Sequence, residues 1–140
     1  MTHTGSPLPG TTLTEGGRPD VELRLPADGA YVSVLRTAAA GLAARLDFTI
    51  DDIEDLRMAV SEACALLLPS ALPGSDLHAA FVLSAAEVRT SISVDTAHPE
   101  APDRDGFAWQ VLSALATSAD AWVDRDRVTV ALTITSTATG

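Results

Sequence analysis

The sequence of 140 residues contains no lysine; all nine of its basic residues are arginine. No lysine nucleophile and no ammonium ligand for phosphate is therefore at its disposal. Cys64 is the single cysteine, which excludes an intramolecular disulfide, and its apolar neighbours point to a buried, reduced thiol. The three histidines, His3, His78 and His98, are scattered, so with one cysteine no zinc-ligand spacing exists. Positive charge is scarce overall: 19 acidic residues against nine basic give a net charge of −10. A nucleic-acid binder needs a basic footprint, so nucleic acid is excluded as a partner; the charge suits a basic protein surface or simply serves solubility. No apolar run approaches the ~20 residues needed to cross a bilayer. The first ten residues have neither a basic nor an apolar region of the signal-peptide kind. No membrane association is expected, and the cytoplasm is the expected compartment. Aromatic residues make up only 4% of the chain, so Trp109 and Trp122 are expected in the core or as interface anchors.

What is present reads as one globular domain, with 46% hydrophobic and 20% charged residues. Residues 1–19, rich in Thr, Gly and Pro, are expected to form a flexible tail, residues 20–136 the domain, and 137–140 a flexible end. Val21, Leu23 and Leu25 alternate with polar residues, a half-buried strand. Asp28 offers an N-cap, and Val32, Leu35, Ala39, Leu42 and Leu46 recur at steps of three and four, one face of a helix. Thr49 is the N-cap of a second helix, with Asp52 in the position of an acidic capping box and Phe48 and Ile53 placed as a hydrophobic staple. Asp51, Asp52, Glu54 and Asp55 crowd its first turns, where the helix dipole favours negative charge. Its core face is Ile53, Leu56, Val60, Ala63 and Leu67, and Pro69 should end or kink it at Leu68.

Strand-like runs at 77–84 and 88–95 form a hairpin, and a loop with two prolines covers 96–105. Residues 107–116 predict a third helix whose inner face is Phe107, Val111, Ala114 and Leu115. Strands at 121–124 and 128–135 close the chain. The order strand, helix, helix, strand, strand, helix, strand, strand predicts an α+β, two-layer domain with a mostly antiparallel or mixed sheet and helices on one face.

The stretch from Asp52 to Cys64, Asp-Ile-Glu-Asp-Leu-Arg-Met-Ala-Val-Ser-Glu-Ala-Cys, resembles the N-box helix of the GHKL (histidine kinase and Hsp90-like) ATPases. The resemblance is to the anti-sigma-factor serine kinases of bacterial partner-switching systems, which regulate transcription in responses such as stress. It implies their Bergerat-type ATPase fold. In that family the N-box carries a glutamate, the general base on a partner's serine, and four residues on an asparagine that holds the magnesium bridging the ATP phosphates. Glu62 matches the glutamate, but Leu66 stands in the asparagine's place. Leucine has no oxygen, and magnesium demands hard oxygen ligands, so no metal ligand is expected here. The family's adenine-reading aspartate at a strand end is matched by Asp95. The glycines that follow it are replaced by Ala97 and Pro99, which restrict the backbone. The family's glycine-rich lid is reduced to Gly106, beside Asp105, whose charge would repel phosphate.

The resemblance implies a degenerate member: an anti-sigma-factor-like regulator that binds a sigma factor and is released by an anti-sigma-factor antagonist, needing no cofactor. Asp51, Asp52, Glu54 and Asp55 are the first candidates for its partner surface. The alternative is an active serine kinase using ATP and magnesium, with Glu62 as base and Asp95 and Gly106 on the nucleotide. A third reading is an accessory domain outside sigma regulation, since fold does not fix function. Dimers are common in the family, so a homodimer is compatible with every reading.

Overall fold

The computed structural model describes residues 18–138; the expected flexible tail lies almost wholly outside them, as do the last two residues. Five strands, β1 (Val21–Pro26), β2 (Asp76–Leu83), β3 (Glu87–Asp95), β4 (Ser118–Asp124) and β5 (Arg127–Thr135), make one sheet in the order β1-β2-β3-β5-β4. Every pairing between them is antiparallel. Three helices, α1 (Val32–Arg45), α2 (Ile50–Leu67) and α3 (Phe107–Leu115), make the second layer, with α2 packed between α1 and α3. This is the α+β, two-layer architecture that the order of elements predicts.

The core lies between the layers and follows strand alternation. Val88, Thr90, Ile92 and Val94 of β3 face inward beside Val128, Val130, Leu132 and Ile134 of β5 and Leu77, Ala79 and Phe81 of β2. The helices answer with Leu35, Ala39 and Ala43 from α1 and Leu56, Val60, Ala63, Cys64 and Leu67 from α2. Among the described residues, the opposite face of the sheet carries no helix. It presents residues such as Arg24, His78, Arg89, Ser91, Thr133 and Trp122 to solvent.

Local chemistry sets the helix ends. Asp28 caps a short 3-10 turn, accepting from the Ala30 N–H at 2.8 Å, and that turn leads into α1. Thr49 caps α2 as expected, its hydroxyl accepting from the Asp52 N–H at 3.1 Å. Phe48 is buried and Ile53 packs against the core, in keeping with a staple. The reciprocal half of a capping box is replaced by a longer-range bond: the Asp52 carboxylate accepts from Thr137, at the start of the expected flexible end. Pro69 acts as predicted. The α-helix stops at Leu67, and a 3-10 turn over Leu68–Ser70 takes its place.

One helix face departs from expectation. The buried residues of α3 are Trp109 and Leu112, while Phe107 is 82% exposed and Ala114 is exposed. With the sequence Phe-Ala-Trp-Gln-Val-Leu-Ser-Ala-Leu, α3 is apolar nearly all round. Periodicity therefore offers two faces, and the one holding the larger indole is buried.

Candidate functional site

Glu62 is half-buried on α2 and makes no hydrogen bond or ion pair among the described residues. Helical spacing fixes its direction. Ser61, one residue earlier, accepts from the Arg36 guanidinium of α1 at 3.3 Å, so that flank faces α1. Glu62 and Leu66, one turn apart, share the opposite flank, toward α3. Leu66 is half-buried and packs against the core. An isobutyl group thus occupies the position one turn beyond Glu62, and no side-chain oxygen stands there to meet a cation. The chain contains no asparagine anywhere. Among the described residues no group of three or more His, Cys, Asp or Glu side chains is arranged to hold a metal ion.

Asp95 lies elsewhere. Strand alternation turns it away from Ile92 and Val94, to the sheet face opposite the helices. There its Oδ1 accepts from Arg127 Nε at 3.1 Å. Thr96 is the buried residue at the strand end, its hydroxyl accepting from the His98 N–H at 3.1 Å. The structure therefore does not bring Asp95 and Glu62 to one pocket. A position at a strand end does not by itself set the direction of the side chain; parity with the inward-facing Ile92 and Val94 does.

Gly106 is the N-cap of α3, with φ −75° and ψ 161°, a conformation open to any residue. A Cβ there would sit 3.3 Å from the Asp103 carbonyl oxygen, a tight contact with the chain's own backbone. The Asp103 carboxylate accepts from the Asp105 N–H at 2.9 Å, which places negative charge at this helix start. A phosphate would be repelled, although bare helix N-termini attract one.

The loop leading to Gly106 is tied down by Arg104, a residue that no motif or periodicity in the sequence singles out. Its guanidinium lies 4.6 Å from the Trp109 ring centroid and donates to Asp120 Oδ1 at 3.0 Å and to the Ala121 carbonyl at 3.1 Å. Gln110 Nε2 donates to the Arg104 carbonyl at 2.8 Å. The hydrogen bond from Arg104 holds the Asp120 carboxyl below its ordinary pKa, against slight desolvation. Three hydrogen bonds and one cation–π contact thus order the loop from within the protein.

The four acidic residues of α2 divide. Asp51 and Glu54 are exposed, Glu54 pairing with Arg57 at 3.1 Å, and Asp55 is half-buried. Asp52 is 4% exposed and engaged with Thr137, so it is not available to a partner. Burial alone would raise its pKa; the hydrogen bonds from Thr137 and Thr49 outweigh that and hold it below the ordinary value. Cys64 is buried as expected, and desolvation pushes its thiol up to about 12. Among the described residues, depressions of about 290 and 530 Å³ lie beside outward-facing residues such as Arg89, Trp122 and Thr133 or Arg24, His78 and Ser91, and one of about 320 Å³ lies at the turn between β4 and β5, beside Asp95 and Arg127.

Known proteins resemble this chain in sequence and in fold. A serine-protein kinase RsbW from Bacillus velezensis is 50% identical over 44 residues, 31% of this chain and 28% of the relative. The Bacillus thuringiensis serine-protein kinase RsbW is 38% identical over 74 residues, 53% of this chain and 46% of the relative. The matched segments thus span less than half of the relatives' length. No family model matches the chain. The crystal structure of the RsbU and RsbW domains of Rv1364c from Mycobacterium tuberculosis superposes with a TM-score of 0.63 at 20% identity, over 83% of this chain and 32% of that one. The resemblance to the GHKL anti-sigma-factor serine kinases is borne out, in sequence over part of the chain and in fold over most of it.

Proposed function

We propose that this chain is an anti-sigma-factor-like regulator that works by binding proteins, with an eroded nucleotide site. It would sequester a sigma factor and be released by an antagonist protein. One observation carries the reading: Leu66, packed on the core one turn from Glu62, stands where a magnesium-holding oxygen would have to be. Phosphoryl transfer rests on charge neutralisation by that metal, so Glu62 would act as a base with no activated phosphate to serve. Three further features support it. Asp95 is committed to Arg127 on the far face of the sheet, Asp103 and Asp105 set negative charge at the start of α3, and Arg104 orders the neighbouring loop without a ligand. A leucine at position 66 and the carboxylates of Asp103 and Asp105 are a poor lining for magnesium and ATP phosphates.

The net charge of −10 suits a basic partner surface, such as the DNA-contacting face of a sigma factor. Asp51, Glu54 and Asp55 remain candidate contacts on α2. A second reading, an active serine kinase, draws on Glu62, which keeps its carboxylate unpaired among the described residues. Incubation with ATP, magnesium and purified antagonist domains of the source genome separates the two. Phosphoserine that appears with wild-type protein and is lost in Glu62→Ala would favour the kinase; binding of a sigma factor without phosphate transfer supports the proposal.

A further inference from the structure

We infer that the outward stripe of α3, Phe107, Val111 and Ala114, is a docking surface for a basic amphipathic helix of a partner protein. The stripe lies diametrically opposite the buried Trp109 and Leu112: at about 100° per residue, its three members cluster within a narrow arc on the solvent side. Phe107 is 82% exposed, Val111 half-buried and Ala114 exposed. The chain has three phenylalanines in all. Leaving one in water, at the start of a helix already anchored by another face, sacrifices burial that the fold does not need from it. Arg104 makes the presentation rigid, since its bonds to Asp120 and Ala121 and its stacking on Trp109 fix the approach to Gly106. Less ordering is then required on binding.

Charge decides the occupant. Asp103 and Asp105 are exposed beside Phe107, the α3 residues are uncharged, and the cation of this loop, Arg104, is paired with Asp120. A second copy of the chain, docked through the same stripe, would set these aspartates against their equivalents. The chain's own first 17 residues carry Glu15 and no arginine, so they offer no complement. A helix with apolar residues at steps of three and four and arginine or lysine on its flanks satisfies both the stripe and its rim. The inference rests on the regulatory reading only for who supplies that helix.

The test uses the full chain, Phe107→Ser, and Asp103→Arg with Asp105→Arg, against purified sigma factors of the source genome, one at a time. Because Phe107 is exposed, the serine variant should melt with the wild type. The expected result is a sigma factor bound about tenfold or more weakly by Phe107→Ser, and more slowly at low salt by the charge-reversed variant. Equal affinity of Phe107→Ser for a sigma factor that binds the wild type overturns the docking surface and leaves the regulatory reading standing. If no sigma factor binds, the regulatory reading falls, and the surface is decided with a synthetic leucine–arginine amphipathic helix. Amide shifts centred on 107–114 that vanish in Phe107→Ser support it. Shifts centred elsewhere, or a homodimer lost in Phe107→Ser, overturn it.

Discussion

The carboxylate of Asp52, in the first turn of α2, accepts from both the backbone N–H and the hydroxyl of Thr137, at 2.8 and 2.9 Å, across 85 residues of sequence. This contact ties the chain beyond β5 to the start of the helix that carries Glu62. Asp52→Ala should cost roughly 1.5–3 kcal/mol in urea unfolding, the range for hydrogen bonds to a charged group. Thr137→Ala should lose part of that, and the double variant should be non-additive.

The same pair predicts a pH dependence. Asp52 has a folded pKa below its ordinary 3.8, burial being outweighed by the Thr137 and Thr49 hydrogen bonds. Its contribution is therefore complete above about 3.8 and fades as pH falls through that value toward the folded pKa. The difference in melting temperature between wild type and Asp52→Asn should be flat from neutral pH to about 5 and shrink below 4. A difference that grows on acidification would contradict the assignment.

Thr90 sits on β3 with no exposure, and its hydroxyl has no hydrogen-bond partner among the described residues. Thr90→Val keeps the shape and removes the desolvated oxygen. It should stabilise the fold by about 1–2 kcal/mol, measured by denaturant midpoint at unchanged slope.

Cys64 is buried, and desolvation pushes its thiol to about 12. Aromatic disulfide reagents at pH 8 should leave it unmodified in native protein and react at once in denaturant. Rapid native labelling would show that α2 opens locally.

Arg104→Ala should let the Asp120 carboxyl rise back toward 3.8 in an NMR titration, since the Arg104 hydrogen bond is the main cause of its depression. The loss of stacking on Trp109 should cost about 0.5–1 kcal/mol. Hydrogen exchange should quicken through the loop ahead of Gly106.

Much of this fold was legible from local rules. The Thr49 cap, the stop at Pro69, the alternation of β3 and β5 and the burial of Cys64 depend on neighbours in sequence, and the structure follows them. Leu66 was legible for the same reason: a four-residue step on a helix defines a shared flank. Three features were not. The choice between two apolar faces of α3 depends on how an indole packs beneath Arg104. The fate of Asp52 depends on Thr137, far along the chain. Asp95 was placed by its position at a strand end, whereas its role depends on parity: Thr96 is buried and Asp95 meets Arg127 across the strand pair.

The central claim is that the position one turn beyond Glu62 has lost its metal ligand and with it the nucleotide chemistry. Calorimetric titration of the full chain with ATP and magnesium tests it most directly. At a protein concentration of about 100 μM, where a dissociation constant of 0.1 mM corresponds to roughly −5.5 kcal/mol, no binding heat is predicted. Saturable, magnesium-dependent binding, accompanied by phosphate transfer that Glu62→Ala abolishes while ATP affinity is kept, would contradict the account.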